Sequence, residues 1–199
     1  MKQLAGIMVS WLIRHEAIEK NQRELYEYAV HCLFLEMMPM LYAVIIGGIM
    51  GELSRSMVLV LPFMIIRKYS GGFHARSEWT CLVSSCLLLY CSIRAAVHVH
   101  NSIWFDFSVC LAIVWLVIFS PVDSENRRLE NDEKIVRKKE VIVILILFMM
   151  VYIGLLLIAK SNYAICIGLG IILTAGLQVP CIVAIVFSKI TKLYIRKRL

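Results

Sequence analysis

VIVILILFMMVYIGLLLIA, residues Val141–Ala159, holds no charged side chain, and neither does Tyr163–Ser188 just after it. At about 1.5 Å of rise per helical residue, either run is long enough to cross a hydrocarbon layer about 30 Å thick. Three further runs resemble them, each with one charge: Val30–Met50 with Glu36, Cys81–Val97 with Arg94 near its far end, and Ile103–Val122 with Asp106 near its start. Met57–Ile66 is the short one. Its ten residues would rise only about 15 Å as a helix, although extended back through Glu52 it could span a thinned bilayer. Counting it gives an all-α polytopic membrane protein with six transmembrane helices.

Composition agrees. Of 199 residues 60% are hydrophobic and 18% charged, against about 45–50% and about a quarter in soluble domains. A soluble chain of 22.8 kDa could not hide that much apolar surface. The net charge of +7 does not indicate nucleic acid, because the Lys and Arg residues lie between apolar runs, where membrane topology wants them. Disulfides are not expected either: seven Cys is odd, and all but Cys81 fall inside apolar runs, where a thiol behaves as a small hydrophobe.

The basic residues also orient the chain. With both termini cytoplasmic, the inner segments collect Lys2, Arg14, Lys20 and Arg23, then Arg67, Lys68 and Arg76, then Arg127, Arg128, Lys134, Arg137, Lys138 and Lys139, then Lys189, Lys192, Arg196, Lys197 and Arg198. That is 18 of the 21. Omitting the short span would set the two halves of the chain in conflict under the positive-inside rule.

Residues 1–29 are not expected to be a signal peptide, since Arg14-His15-Glu16 follows the apolar run Leu4–Ile13 with no small-residue cleavage site. Leu4, Ile7, Met8, Trp11, His15 and Ile18 recur at helical spacing. Two readings stay open: an amphipathic helix on the inner membrane face, or a helix packed against the bundle. The expected organisation is one membrane-embedded domain over residues 1–199, with an amphipathic segment at 1–29, a long polar connection at Ser120–Glu140 and a basic tail at 189–199.

Polar residues crowd one stretch beyond what topology requires, Arg67–Cys81 (RKYSGGFHARSEWTC). A cysteine nucleophile needs a base or cation nearby, and imidazole is the usual one. His74 and Cys81 are seven apart, about 10 Å along one continuous helix and too far for a hydrogen bond. Ser77, however, is a good N-cap followed by Glu78. A helix starting there puts Cys81 in its opening turns, where unpaired N–H groups favour a thiolate. Gly71-Gly72 would let the loop bearing His74 fold back over that turn. Zinc through His74, Cys81 and Cys86 competes weakly, because the two Cys point to different helix faces. No cofactor and no metal are expected.

The same run, Arg67 with Gly71-Gly72-Phe73-His74-Ala75 and Cys81, resembles the accessory gene regulator B family of bacterial membrane cysteine endopeptidases. Ser120-Pro121-Val122-Asp123-Ser124-Glu125-Asn126 resembles the segment that family carries after its fourth span. Length, span count and basic tail agree along essentially the whole chain. The resemblance implies a multi-pass protein of the bacterial cell membrane that cuts a short propeptide at the inner face and cyclises it to a thiolactone, or lactone, quorum-sensing signal. It implies Cys81 as nucleophile and His74 as base, with Arg67 and Gly72 needed in the loop. Tyr69-Ser70 stands where some members are more basic.

Asp123, expected on the same side as His74, could orient the imidazole as carboxylates do in triads; a turn or capping role competes. Part of Arg127–Lys139 is available for an acidic propeptide tail. Gln178-Val179-Pro180 lies mid-membrane, where Pro frees a carbonyl and Gln can bond that backbone or a neighbouring helix. The expected partners are the propeptide and the lipid bilayer, with a homodimer left open and no nucleic acid. The competing reading is a non-catalytic small transporter or exporter of peptides, which should tolerate Ala at position 81.

Overall fold

In the computed structural model, residues 2–15, 17–72, 78–122 and 131–198 are described, with backbone alone for Lys2, Glu78, Asn131, Ile185, Val186 and 188–198. Helix makes up 89% of the described residues. Seven α-helices follow one another: α1 (Lys2–Arg14), α2 (Arg23–Ile49), α3 (Leu53–Ser70), α4 (Glu78–His98), α5 (Ile103–Phe119), α6 (Asn131–Leu157) and α7 (Ser161–Arg198), with a 3-10 turn at Lys20–Gln22.

Four of these helices, α2, α4, α6 and the Ser161–Ala184 part of α7, are long and apolar enough to cross a membrane, so the chain is a membrane protein. The other two expected spans differ in kind. Helix α5 is apolar but has 17 residues, a rise of about 26 Å. Helix α3 has 18 residues and three of them are Arg55, Arg67 and Lys68. Its low apolar content has a packing explanation: α3 lies against α7, α2, α6 and α4, so much of its surface meets protein, while Leu53, Leu61 and Ile65 stay exposed. Leu59, Val60, Phe63 and Ile66 are all buried.

In lipid, helices associate through close packing and buried polar contacts, because the hydrocarbon is as apolar as they are. Both devices are present. A Cβ at Gly170 of α7 would lie 2.6 Å from the Leu59 carbonyl oxygen and 2.7 Å from Pro62 Cγ; only glycine lets these backbones meet. Ser56 of α3, fully buried, donates to the Ala43 carbonyl of α2 at 2.9 Å. Tyr152 Oη of α6 donates to Asp106 Oδ1 of α5 at 2.5 Å, which accounts for the charge in that run. Glu36 faces Lys68 Nζ at 3.8 Å, level with the charged end of α3. Arg94 is exposed near the end of α4, where its head can snorkel.

Two sequence expectations need correction. The connection Ser120–Glu140 is not loop throughout: α6 begins at Asn131. Asp132 and Glu133 occupy its first turn, where carboxylates suit the helix dipole, and Arg137 reaches Glu140 at 4.0 Å. At the N-terminus both open readings hold part of the answer. Helix α1 packs on α2 through Ala5 and Val9, which with Val30 form a small core joined by Ile13, Ile18 and Phe34. Leu4, Ile7, Met8 and Trp11 are exposed on its other side, as a membrane-surface face requires. Spacing picked out the large residues, but the close approach to α2 belongs to the small ones.

Candidate active site

Helix α3 ends at Ser70, and the Gly71 N–H bonds to the Arg67 carbonyl at 3.1 Å. Gly71 then adopts φ +71°, and a Cβ there would stand 2.6 Å from the Val122 carbonyl oxygen. Glycine is required twice over, by its positive φ and by the contact. Gly72 follows, buried, its α-carbon side turned toward the Leu177 carbonyl oxygen of α7.

Three strands of chain meet at this point. The Val122 N–H donates to the Ser70 carbonyl at 2.9 Å. Gln178 Nε2 donates to the same carbonyl and to Ser120 Oγ, each at 3.0 Å. Ser70, Ser120 and Gln178 are all buried. The carbonyls of a helix's last turn have no partner within the helix; here that of Ser70 receives two donors from distant parts of the chain. The knot joins the end of α3, the segment after α5 and the middle of α7.

Cys81 is the fourth residue of α4, in the opening turn as its spacing from Ser77 suggested, and it is half-buried as a free thiol. Ser84 Oγ donates to its carbonyl at 3.0 Å. Cys81 and Arg67 line one narrow cavity of about 20 Å³, with Ser84, Ser85, Leu88 and Leu89 from α4, Phe63 from α3, and Leu173 and Leu177 from α7. The Arg67 guanidinium stacks over the Phe63 ring at 5.5 Å, which fixes a cation on the α3 side of the cavity that the thiol lines from α4. A volume that size takes a water but no peptide side chain, so a substrate carbonyl would approach Cys81 from its exposed side.

Of the expected site residues, Arg67 and Cys81 thus share a cavity, and Gly71 and Gly72 form the root of the loop between them. His74 and Asp123 lie outside the described residues, as does the proposed cap Ser77. Of the set that closes the knot, Gln178 stands out in the sequence as an amide able to bond a neighbouring helix, whereas spacing did not single out its partners Ser70 and Ser120. A fully buried amide inside an uncharged span was the available signal, because a polar group in the membrane interior needs a partner.

The match to known proteins is distributed along the chain. An AgrB-like protein of Clostridium perfringens (strain SM101 / Type A) is 24% identical over 130 residues, 61% of each chain. A second from strain 13 of the same species is 23% identical over 132 residues, again 61% of each. Protein FsrB of Enterococcus faecalis (strain ATCC 47077 / OG1RF) is 20% identical over 147 residues, 69% of this chain and 60% of that one. The match thus spans about three fifths of the length of these curated relatives. No solved structure matches. The model of the family described as Accessory gene regulator B matches residues 5–187, nearly the whole chain, and the chain belongs to that family.

Proposed function

We propose that this chain is a membrane cysteine endopeptidase that cuts a short propeptide at the inner membrane face and cyclises it. Membership of the family ties it to the processing of autoinducer peptides in quorum sensing. The observation that carries the finer reading is the shared cavity of Cys81 and Arg67 beside the Gly71-Gly72 root of the loop that bears His74. In this reading α3 and α5 complete six spans with both termini cytoplasmic, which brings the site to the face where the basic residues gather.

His74 takes the Cys81 proton as sulfur attacks the peptide carbonyl, and returns it to the departing amine. Arg67 and the N–H groups of the first turn of α4 face the charge that develops. The C-terminal part of the propeptide leaves, and the N-terminal part stays as a thioester on Cys81. A Cys thiol or Ser hydroxyl within the same peptide then attacks that thioester. The ring closes, and Cys81 regains its proton. Tethering the attacking group to the acyl chain gives it an effective concentration that water at a recessed site lacks.

The test is cleavage of propeptide by the full chain in liposomes. Cys81→Ala and His74→Ala should each abolish it at unchanged abundance, while Cys86→Ala and Cys91→Ala leave it intact. Cleavage by Cys81→Ala at the normal rate would sink the peptidase and favour an exporter. A propeptide whose ring-forming residue is changed to Ala should be cut once and remain on Cys81, visible by mass spectrometry and released by hydroxylamine.

A further inference from the structure

We propose that Gln178 is the positioning residue for the loop that carries His74, holding the roots of that loop and of the segment leading to Asp123 in one register; this rests on the proposed function. Gln178 is the one fully buried polar residue among the large side chains of the described core. Both Nε2 hydrogens leave α7, one for the Ser70 carbonyl that ends α3 and one for Ser120 Oγ just beyond α5. The Ser70 carbonyl can only accept, so the amide must present nitrogen to it.

The two roots also bind each other, through the Val122 N–H and the Ser70 carbonyl at 2.9 Å, with Gly71 fitted against the Val122 carbonyl oxygen. Ser70 stands four residues before His74, and Val122 immediately precedes Asp123. Where Gln178 holds these roots sets where the chain leaves Ser70 toward position 74 and Val122 toward position 123. The same helix carries Leu173 and Leu177 into the cavity of Cys81, so one element sets both a wall of the site and the hold on the two roots. Gln178 Oε1 is buried without a hydrogen-bond partner among the described residues, which leaves an acceptor open at this junction.

Thr174 supplies the contrast. One turn earlier and equally buried, its Oγ1 bonds to the Gly170 carbonyl of its own helix at 2.8 Å. It touches neither root. If buried polarity in α7 served packing alone, the two residues would respond alike.

The experiment compares Gln178→Met, close in volume but without donors, Ser120→Ala, and Thr174→Val as control, in the full chain in liposomes with propeptide. Displacing a catalytic group by about 1 Å can cost about 100-fold. Gln178→Met should therefore lower kcat about 10- to 100-fold with KM within about twofold. Backbone hydrogen exchange at Gly71 and Val122 should accelerate in that variant, and both readouts should stay at wild-type values in Thr174→Val. Ser120→Ala removes one of the two bonds from the other end and should show the same pattern more weakly, which keeps the test open if Gln178→Met folds poorly. Normal kcat in Gln178→Met, or equal losses in Thr174→Val, would overturn the proposal. So would a fall in kcat with exchange at Val122 unchanged. If Cys81→Ala still cleaves, the peptidase reading has failed, and exchange at Val122 alone decides whether Gln178 clamps the roots.

Discussion

Helices α6 and α7 both offer long charge-free runs, yet they occupy opposite environments. Only 17% of the most apolar stretch of α6 is buried in the protein, against 50% for α7, although α6 is the more hydropathic of the two. Helix α6 turns Val143, Ile146, Leu147 and Met150 outward. Helix α7 buries Ala164, Cys166, Ile171 and Ala175, brings Gly168 against Phe105 and Val109, and brings Gly170 against α3. In water the more apolar helix would be the inner one. In a membrane lipid already satisfies large apolar side chains, and the centre goes to the helix whose small residues permit close approach.

The largest test of that contrast is leucine for glycine in each helix. Gly170→Leu would drive a side chain into the Leu59 carbonyl and Pro62 and should cost more than about 3 kcal/mol, read as lost folded fraction in a denaturant titration in bicelles. Gly154→Leu in α6 meets nothing within 4 Å and should stay within about 0.5 kcal/mol. Equal losses would break the comparison.

A smaller effect separates two glycines of positive φ. Gly71 (φ +71°) and Gly51 (φ +69°) share that sign, but a Cβ meets the Val122 carbonyl only at Gly71. Gly51→Ala should cost about 1–2 kcal/mol from the backbone alone. Gly71→Ala should cost more and also lower cleavage, because it pushes the two loop roots apart; equal thermal shifts would show that the contact is idle.

Next in size is the hydrogen bond that ties α6 to α5. Tyr152→Phe removes the bond to Asp106 and should cost about 1 kcal/mol, with cleavage per folded molecule unchanged. A loss of kcat there would extend catalytic influence to α6 and blur the distinction from α7. The smallest expected change is Ile146→Ala, on the exposed face of α6, within about 0.5 kcal/mol by the same titration. A loss of about 2 kcal/mol or more, the scale of a core truncation, would mean that this face is covered by protein.

Particular residues show how far the chain could be read in advance. The placement of Cys81 in the opening turn of α4 was legible from the apolar run that follows it, while the proposed cap at Ser77 lies outside the described residues. Arg67 was legible as the basic end of an apolar run. The first ten residues of α6 were not, since Asn131–Glu140 has the composition of a loop, and helical form there depends on continuation into the apolar run. The packed side of α1 was missed because periodicity weights large apolar residues, whereas Ala5 and Val9 make the contact. Gln178 was noticed as a polar residue in an apolar span, but its two acceptors lie 108 and 58 positions away, and no local pattern names them.

An uncharged run long enough for a bilayer admits few backbone solutions, because every peptide group must be bonded within the segment. Residue order alone therefore established the helices and their lipid setting. It could not tell which apolar helix stands at the centre, because hydropathy is blind to the fit of one surface into another. Folding decided that through Gly170 against Leu59. It also joined Ser70, Ser120 and Gln178, since a buried hydrogen bond depends on where atoms meet and not on how far apart they lie along the chain.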